Sequence, residues 1–238
     1  MKAEQKRYTT AIILAAGIGA RFGSDIPKHR LSLLGKSLIS RVAKSFYDCD
    51  DIDSIVVVTR EEDVDFVNSE LLFLGDKLYK VVPGGSTRSE SAVRGFLSIP
   101  EETEYVAIHD GARCLITPDD ISSVAKAAYI SGAASAASLI VDTVKLVKDH
   151  RIQGTVSRDE LILASTPQIF SVDVYKNAIK NVSCASSITD DNMLVENTGK
   201  EITAVILKNE NIKITYPRDL EYAEFILNRR EKQCLNSE

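Results

Sequence analysis

Residues 12–28 read I-I-L-A-A-G-I-G-A-R-F-G-S-D-I-P-K, an apolar strand run that ends in a glycine-rich turn and leads to Arg21, then to Pro27 and Lys28. Gly17 and Gly19 can adopt positive φ and let backbone N–H groups approach phosphate oxygens where a Cβ would collide. Arg21 and Lys28 add two mobile cations beside the same anion, so the stretch suits a polyphosphate. It matches neither of two familiar phosphate loops: no Gly-Lys-Ser/Thr follows, and the third glycine of G-x-G-x-x-G is absent. The alternative is an ordinary strand-to-loop turn with solvated charges.

Outward from this turn, apolar β-rich runs at 11–16, 54–59, 78–82, 105–109 and 134–141 alternate with helix-period segments such as 37–46 and 88–97. That rhythm predicts an α/β fold: a Rossmann-like, mostly parallel sheet flanked by helices. Thr117-Pro118-Asp119-Asp120 reads as an N-cap, a first-turn proline and first-turn acids, so a helix should begin there. A last helix should start similarly near Thr215-Tyr216-Pro217-Arg218-Asp219, and the polar tail after about Arg229 is expected to fray. In open α/β sheets ligands bind beyond the carboxyl ends of the strands. The Gly17 turn, the Gly84-Gly85 turn and the 109–113 segment all follow predicted strands and can meet at that edge.

The rhythm breaks at about 142–168, where residues 143–147 and 152–156 flank a polar turn, Lys148-Asp149-His150-Arg151. This predicts a projecting β-hairpin arm inserted into a single domain spanning 1–238. An apolar hairpin of this kind commonly finds a partner chain, so a homodimer is expected; folding back on its own domain is the alternative.

With 238 residues, 44% of them hydrophobic, the chain can bury a substantial core. A net charge of −5 argues against a broad nucleic-acid surface and favours a small phosphorylated ligand met by a local group of cations. No run approaches a membrane span and the start lacks a signal-peptide stretch, so a cytoplasmic protein is expected. The four cysteines, Cys49, Cys114, Cys184 and Cys234, lie far apart and suggest reduced thiols, and three scattered histidines do not make a metal centre.

Further motifs recur in order: L-A-A-G-x-G-x-R with P-K downstream, G-G-x-x-R-x-x-S at 84–91, H-D-x-A-R at 109–113, and D-T-x-K at 142–145. T-P-Q-x-F at 166–170, T-D-D at 189–191, and N-I-K-I-T followed by P-x-D-L at 211–220 complete the set. Over nearly its whole length the chain thus resembles the 2-C-methyl-D-erythritol 4-phosphate cytidylyltransferases of the isoprenoid-precursor pathway. Such enzymes join CTP to a sugar-alcohol phosphate and release pyrophosphate. Because the attacking phosphate oxygen is already ionised, in-line positioning and charge neutralisation carry most of the catalysis.

The resemblance implies that Arg21 and Lys28 stabilise the transition state and departing pyrophosphate, while Arg158 and Lys213 hold the substrate phosphate or bridge it to the nucleotide. It further implies nucleotide contacts from Ala15, Ala16, Gly17, Gly19, Gly84, Gly85, Ser91 and Asp110, the 84–91 turn surrounding cytosine. Substrate contacts would come from Asp110, Arg113, Thr143, Arg158, Thr166 and Lys213. A divalent cation, Mg²⁺, is implied by the charge on CTP and would be bound mainly through phosphates, with Asp110 a weak ligand candidate.

Plainer roles stand beside these. Lys213, in a short apolar strand, could snorkel from an edge, and Arg158 could form a surface ion pair. Asp110 and Arg113 could pair internally; Thr143 and Thr166 could be strand or cap residues. Asp190 and Asp191 fit the first turn of a helix better than a paired-carboxylate site. The chain departs from the common pattern at His29 and Arg30, usually glutamine and an aromatic, at Ser86, often acidic, at Gly111, usually alanine, and at Cys114, usually proline. Rival readings are a ribitol-5-phosphate cytidylyltransferase, a dinucleotide-dependent oxidoreductase, and a catalytically silent nucleotide-binding regulator.

Overall fold

The computed structural model describes residues 7–17, 22–23, 26–180 and 188–235. In chain order the elements are β1 (Thr9–Leu14), β2 (Ser32–Leu33), β3 (Lys36–Ser37), α1 (Leu38–Tyr47), β4 (Ser54–Thr59), α2 (Val64–Glu70), β5 (Leu78–Pro83) and α3 (Arg88–Phe96). They continue with β6 (Tyr105–Asp110), α4 (Pro118–Ser131), β7 (Ala133–Leu139), β8 (Val144–Lys148), β9 (Arg151–Val156) and β10 (Ile162–Ser171). The chain then forms α5 (Val172–Lys180), α6 (Asp191–Glu196), β11 (Thr203–Ile206) and α7 (Pro217–Leu235).

A seven-stranded sheet in the order β11-β7-β10-β6-β1-β4-β5 carries the molecule. β5, β4, β1 and β6 run parallel, as does β11 beside β7; β10 opposes both its neighbours, β6 and β7. The mostly parallel sheet expected from the alternating pattern is therefore present. Its central strands are buried on both faces, which is why they read as continuous apolar runs. Side chains alternate: Ile13 and Val57 pack with Leu38, Val42 and Phe46 of α1 and Val124 of α4. Ile12, Val56, Val58, Val106 and Ile108 face Phe96 of α3 and Tyr175 of α5. Gly95 permits this contact, since a Cβ there would lie 2.4 Å from Cγ2 of Ile12.

Helix starts follow their local chemistry. Ser37 caps α1 by accepting from the Ser40 N–H, Thr117 caps α4 by accepting from the Asp120 N–H, and Pro118 occupies the first turn. Helix α7 runs through Leu235, past the expected fraying point, because Ala223 and Ile226 are buried and Arg230 donates to the carbonyls of Leu115 (2.7 Å) and Glu210 (3.0 Å). β11 was not foreseen; its four residues are too short for a periodic signal and gain their place by pairing with β7.

Strands β8 and β9 form the expected hairpin, joined through Asp149 (φ 50°) and His150 (φ 61°). Positive φ at both central residues matches the strand twist of a tight two-residue turn. The inserted stretch is shorter than 142–168: residues from Ile162 onward already belong to β10, with Ile162 opposite Leu139 in the main sheet. Local alternation could not separate a hairpin strand from a sheet strand of similar composition.

Candidate active site

Three loops at the carboxyl ends of the parallel strands enclose a cleft of about 770 Å³. Leu14, Ala15, Ala16 and Gly17 follow β1; Gly84, Gly85, Ser86, Thr87, Arg88 and Ser91 follow β5; Asp110, Gly111 and Ala112 follow β6. Lys28, His29, Arg60, Glu61, Glu62 and Lys213 complete the lining. The three turns expected to meet at the carboxyl edge of the sheet do line one cleft. At Gly17, however, the reason for glycine is not positive φ: a Cβ there would meet no protein atom within 4 Å, so its absence widens the cleft. At Gly84 a Cβ would lie 2.5 Å from that of Ala16, so glycine lets the two loops touch.

Asp110 is the electrostatic centre. Lys213 donates through Nζ to its Oδ2 (2.7 Å), Arg88 donates through Nε to its Oδ1 (3.1 Å), and Arg113 Nε lies 3.7 Å from Oδ2. Burial alone would raise the Asp110 pKa; Arg88 and Lys213 outweigh it and hold the carboxyl well below the ordinary range. Arg88 also donates to Asp191 Oδ2 (2.7 Å), and Tyr175 donates to Asp191 Oδ1 (2.7 Å). Burial opposes the Arg88 charge, but Asp191 and Asp110 raise its pKa further. Gln168 orients the same corner, accepting from the N–H groups of Asp191 (3.0 Å) and Asn192 (3.1 Å).

Lys28 reaches the cleft from the other side. Its Nζ donates to the carbonyls of Ile214 (3.1 Å) and Thr215 (3.3 Å), just before α7. Asp219 shapes that turn by accepting from the N–H groups of Thr215 and Tyr216, both at 2.8 Å. Two cations expected at the site, Lys28 and Lys213, therefore share one cleft. Lys213 does not sit in a strand: residues 211–215 form an irregular extended segment tied to the sheet by Ile214 N–H donating to Ala112 O (2.8 Å). Its flanking isoleucines mimic strand alternation because Ile214 is buried and Ile212 partly so.

Other expected residues fall elsewhere. Gly19, Arg21, Cys184 and the side chain of Cys234 lie outside the described residues. Arg113 is turned away from the cleft, donating through Nη1 to Asn211 O (2.8 Å). Thr166 is buried behind Asp110, accepting from the Asp110 N–H (3.0 Å) and lying 3.1 Å from His109 Nδ1. Burial drives His109 down to about 4, so its ring is neutral; the network assigns Nδ1 as acceptor from Thr166 and Nε2 as donor to Arg113 O (3.2 Å). Thr143 is exposed beside the hairpin, and Arg158 donates through Nη1 to Val141 O (2.5 Å); neither lines the cleft of its own chain. The backbone N–H groups of Gly84, Gly85 and Ser86 donate to Thr59 O (2.7 Å), Ser91 Oγ (3.1 Å) and Glu90 Oε2 (2.8 Å).

His29 and Arg30 belong to one cluster with Arg60 around buried Asp63. Arg60 donates to Asp63 Oδ2 through Nε (2.7 Å), Arg30 pairs with Oδ1, and His29 Nε2 lies 3.2 Å from Oδ2. Asp190 caps α6, accepting from the Met193 N–H (3.1 Å), one place ahead of the first turn expected for it, and Asp191 alone of the two lies in that turn. Burial pushes the Cys114 thiol up to about 11, so it is a loop filler rather than a nucleophile. Arg88 and Asp191 were passed over although both stood inside quoted motifs; motif membership was the available signal.

A family model described as 2-C-methyl-D-erythritol 4-phosphate cytidylyltransferase matches residues 9–229. The chain belongs to this family. A 2-C-methyl-D-erythritol 4-phosphate cytidylyltransferase from Clostridioides difficile is 37% identical over 233 residues, covering 96% of this chain and 97% of its own. One of that name from Pelotomaculum thermopropionicum is 36% identical, covering 93% and 94% respectively. Among solved structures, 4-diphosphocytidyl-2C-methyl-D-erythritol synthase from Anaerococcus prevotii superposes with a TM-score of 0.83 at 26% identity, covering 94% of this chain and 97% of that one. The Francisella tularensis 2-C-methyl-D-erythritol 4-phosphate cytidylyltransferase gives 0.75 at 32% identity, covering 92% and 99%. A dinucleotide-dependent oxidoreductase is thereby set aside. No helix among the described residues is long and apolar enough to cross a membrane.

Proposed function

We propose that this chain transfers the cytidylyl group of CTP to 2-C-methyl-D-erythritol 4-phosphate and releases pyrophosphate, a step of isoprenoid-precursor synthesis. The observation that carries the reading is the family match across 9–229, with Lys28 and Lys213 facing one strand-end cleft. The substrate phosphate attacks the α-phosphorus in line; no side chain need remove a proton. Lys28 neutralises charge that grows on the departing pyrophosphate, and Lys213, steadied by Asp110, meets the reacting phosphates. Arg21 belongs to the same role by resemblance. The loops carrying Ala15, Ala16, Gly17, Gly84, Gly85 and Ser91 hold the nucleotide.

Mg²⁺ would supply charge neutralisation across the triphosphate. Such an ion needs only one or two carboxylates besides phosphate oxygens; Asp110 lines the cleft, but Lys213 and Arg88 already donate to its two oxygens, so phosphate oxygens would hold most of the ion. With CTP and Mg²⁺, the purified protein should release pyrophosphate faster with 2-C-methyl-D-erythritol 4-phosphate than with ribitol 5-phosphate. Faster release with ribitol 5-phosphate would reverse the substrate assignment; NADH binding without CTP binding would overturn the enzyme class.

The functional unit is a homodimer built through the β8–β9 arm. Leu146, Val147 and Ile152 are 58–68% exposed there, and a lone two-stranded ribbon is marginal in water. Pairing would bring Arg158 and Thr143 toward the neighbouring subunit's cleft. Sedimentation equilibrium should give about twice 26.1 kDa; a monomer at assay concentration that retains full activity would refute it. Free, buried Cys49 and Cys114 support a cytoplasmic setting.

A further inference from the structure

We propose, building on the role given to Lys28 above, that Asp63 is a positioning residue for that lysine. By gripping His29 and Arg30 it fixes the turn that carries Lys28, and it locks that turn to Arg60 on the wall of the cleft.

Lys28, His29 and Arg30 form a single 3₁₀ turn, closed by Arg30 N–H donating to Pro27 O (2.9 Å) and Leu31 N–H donating to Lys28 O (3.0 Å). An isolated turn of this kind is weak, because its hydrogen-bond geometry is poor and no further turn supports it. Its anchors are therefore tertiary. The tip of Lys28 meets the carbonyls of Ile214 and Thr215, and the two residues that follow it reach Asp63. A cation displaced by about 1 Å from reacting phosphates loses up to about 100-fold in rate, so a group that holds this turn acts on kcat.

Asp63 stands between β4 and α2 with its side chain only 1% exposed. Its Oδ1 pairs with Arg30, its Oδ2 accepts from Nε (2.7 Å) and Nη2 (2.6 Å) of Arg60, and His29 Nε2 lies 3.2 Å from Oδ2. The Arg30 guanidinium also lies over Phe66 of α2, 4.3 Å from the ring centroid, which adds a second hold on the same turn. Burial alone would raise the Asp63 pKa; Arg60, His29 and Arg30 outweigh it and keep the carboxyl ionised. Burial lowers the His29 pKa, so at neutral pH its imidazole fills the space beside Asp63 without adding charge. One buried carboxylate thus joins the lysine's turn, the start of α2 and Arg60, which lines the cleft with Lys28 and His29. His29 and Arg30, the two departures from the common pattern beside Lys28, are the side chains that make this grip.

Two double-mutant cycles on the full chain test this: Asp63→Asn and Arg30→Met, each alone and each combined with Lys28→Gln. Arg30 is partly exposed and methionine keeps a contact over Phe66, so this second cycle stands even if the buried Asp63→Asn change prevents folding. Each single variant should lower kcat for pyrophosphate release from CTP and 2-C-methyl-D-erythritol 4-phosphate about tenfold, with the KM for CTP within about threefold. In the Lys28→Gln background the same changes should cost less than about twofold, because the lysine they position is gone. Amide hydrogen exchange needs no turnover: both variants should speed exchange at Arg30 and Leu31 about tenfold or more while β4 keeps its parent rates. Equal losses of kcat on both backgrounds, or unchanged exchange at Arg30 and Leu31, would overturn the proposal. A parent protein that releases no pyrophosphate from CTP would instead overturn the functional reading, and the exchange rates would still decide whether Asp63 holds the turn.

Discussion

Lys28→Gln should lower kcat by about 100- to 1,000-fold while leaving the KM for CTP within a few-fold of the parent. The side chain is held at the cleft by the carbonyls of Ile214 and Thr215, so its ammonium is positioned before substrate arrives. Negative charge moves onto the pyrophosphate as its bond to the α-phosphorus breaks. A cation waiting there stabilises the transition state more than the ground state, which puts the effect in kcat. Glutamine keeps most of the length and can still donate to those carbonyls, so the fold should survive; circular dichroism checks this. A variant within a few-fold of the parent kcat would remove Lys28 from the chemistry.

Asp110→Asn should lose both activity and stability. It neutralises the carboxylate that Arg88, Arg113 and Lys213 share, leaving positive groups crowded in a poorly solvated corner. Breaking a buried ion pair from one side costs about 3 kcal/mol or more. At roughly 2–4 °C per kcal/mol for a chain of this length, the thermal midpoint should fall by about 6–12 °C. The pH dependence carries a defined sign. Asp110 has a depressed folded-state pKa, so its contribution is complete above the unfolded value of about 3.9 and is lost as pH falls below it. Parent and variant stabilities should converge on acidification below about pH 4. A constant gap between them from pH 6 to pH 2 would show that the difference does not arise from ionisation of Asp110.

Much of this was legible locally. Apolar runs foretold β1, β4, β5 and β6, and Thr117 and Pro118 marked the start of α4, because caps and periodicities act over a few residues. Two glycine turns and the 109–113 segment were assigned to one rim, since parallel strands share a direction and so a ligand-binding end. Residues 211–215 deceived for the same reason: burial on alternate sides imitates a strand even where no ladder forms.

The sequence alone therefore determined the kind of fold, the sheet edge at which the glycine turns meet and the cations available to it. Tertiary structure decided which charges meet. Lys213 and Asp110 are 103 residues apart, as are Arg88 and Asp191, and the order of strands in the sheet brings each pair within 2.7 Å. It also turned Arg113 inward, buried Thr166 behind Asp110, and committed the hydroxyl hydrogen of Ser86 to Glu90. Hydrogen-bond direction depends on the three-dimensional position of every neighbouring donor and acceptor, and residue order carries that information only after the chain has folded.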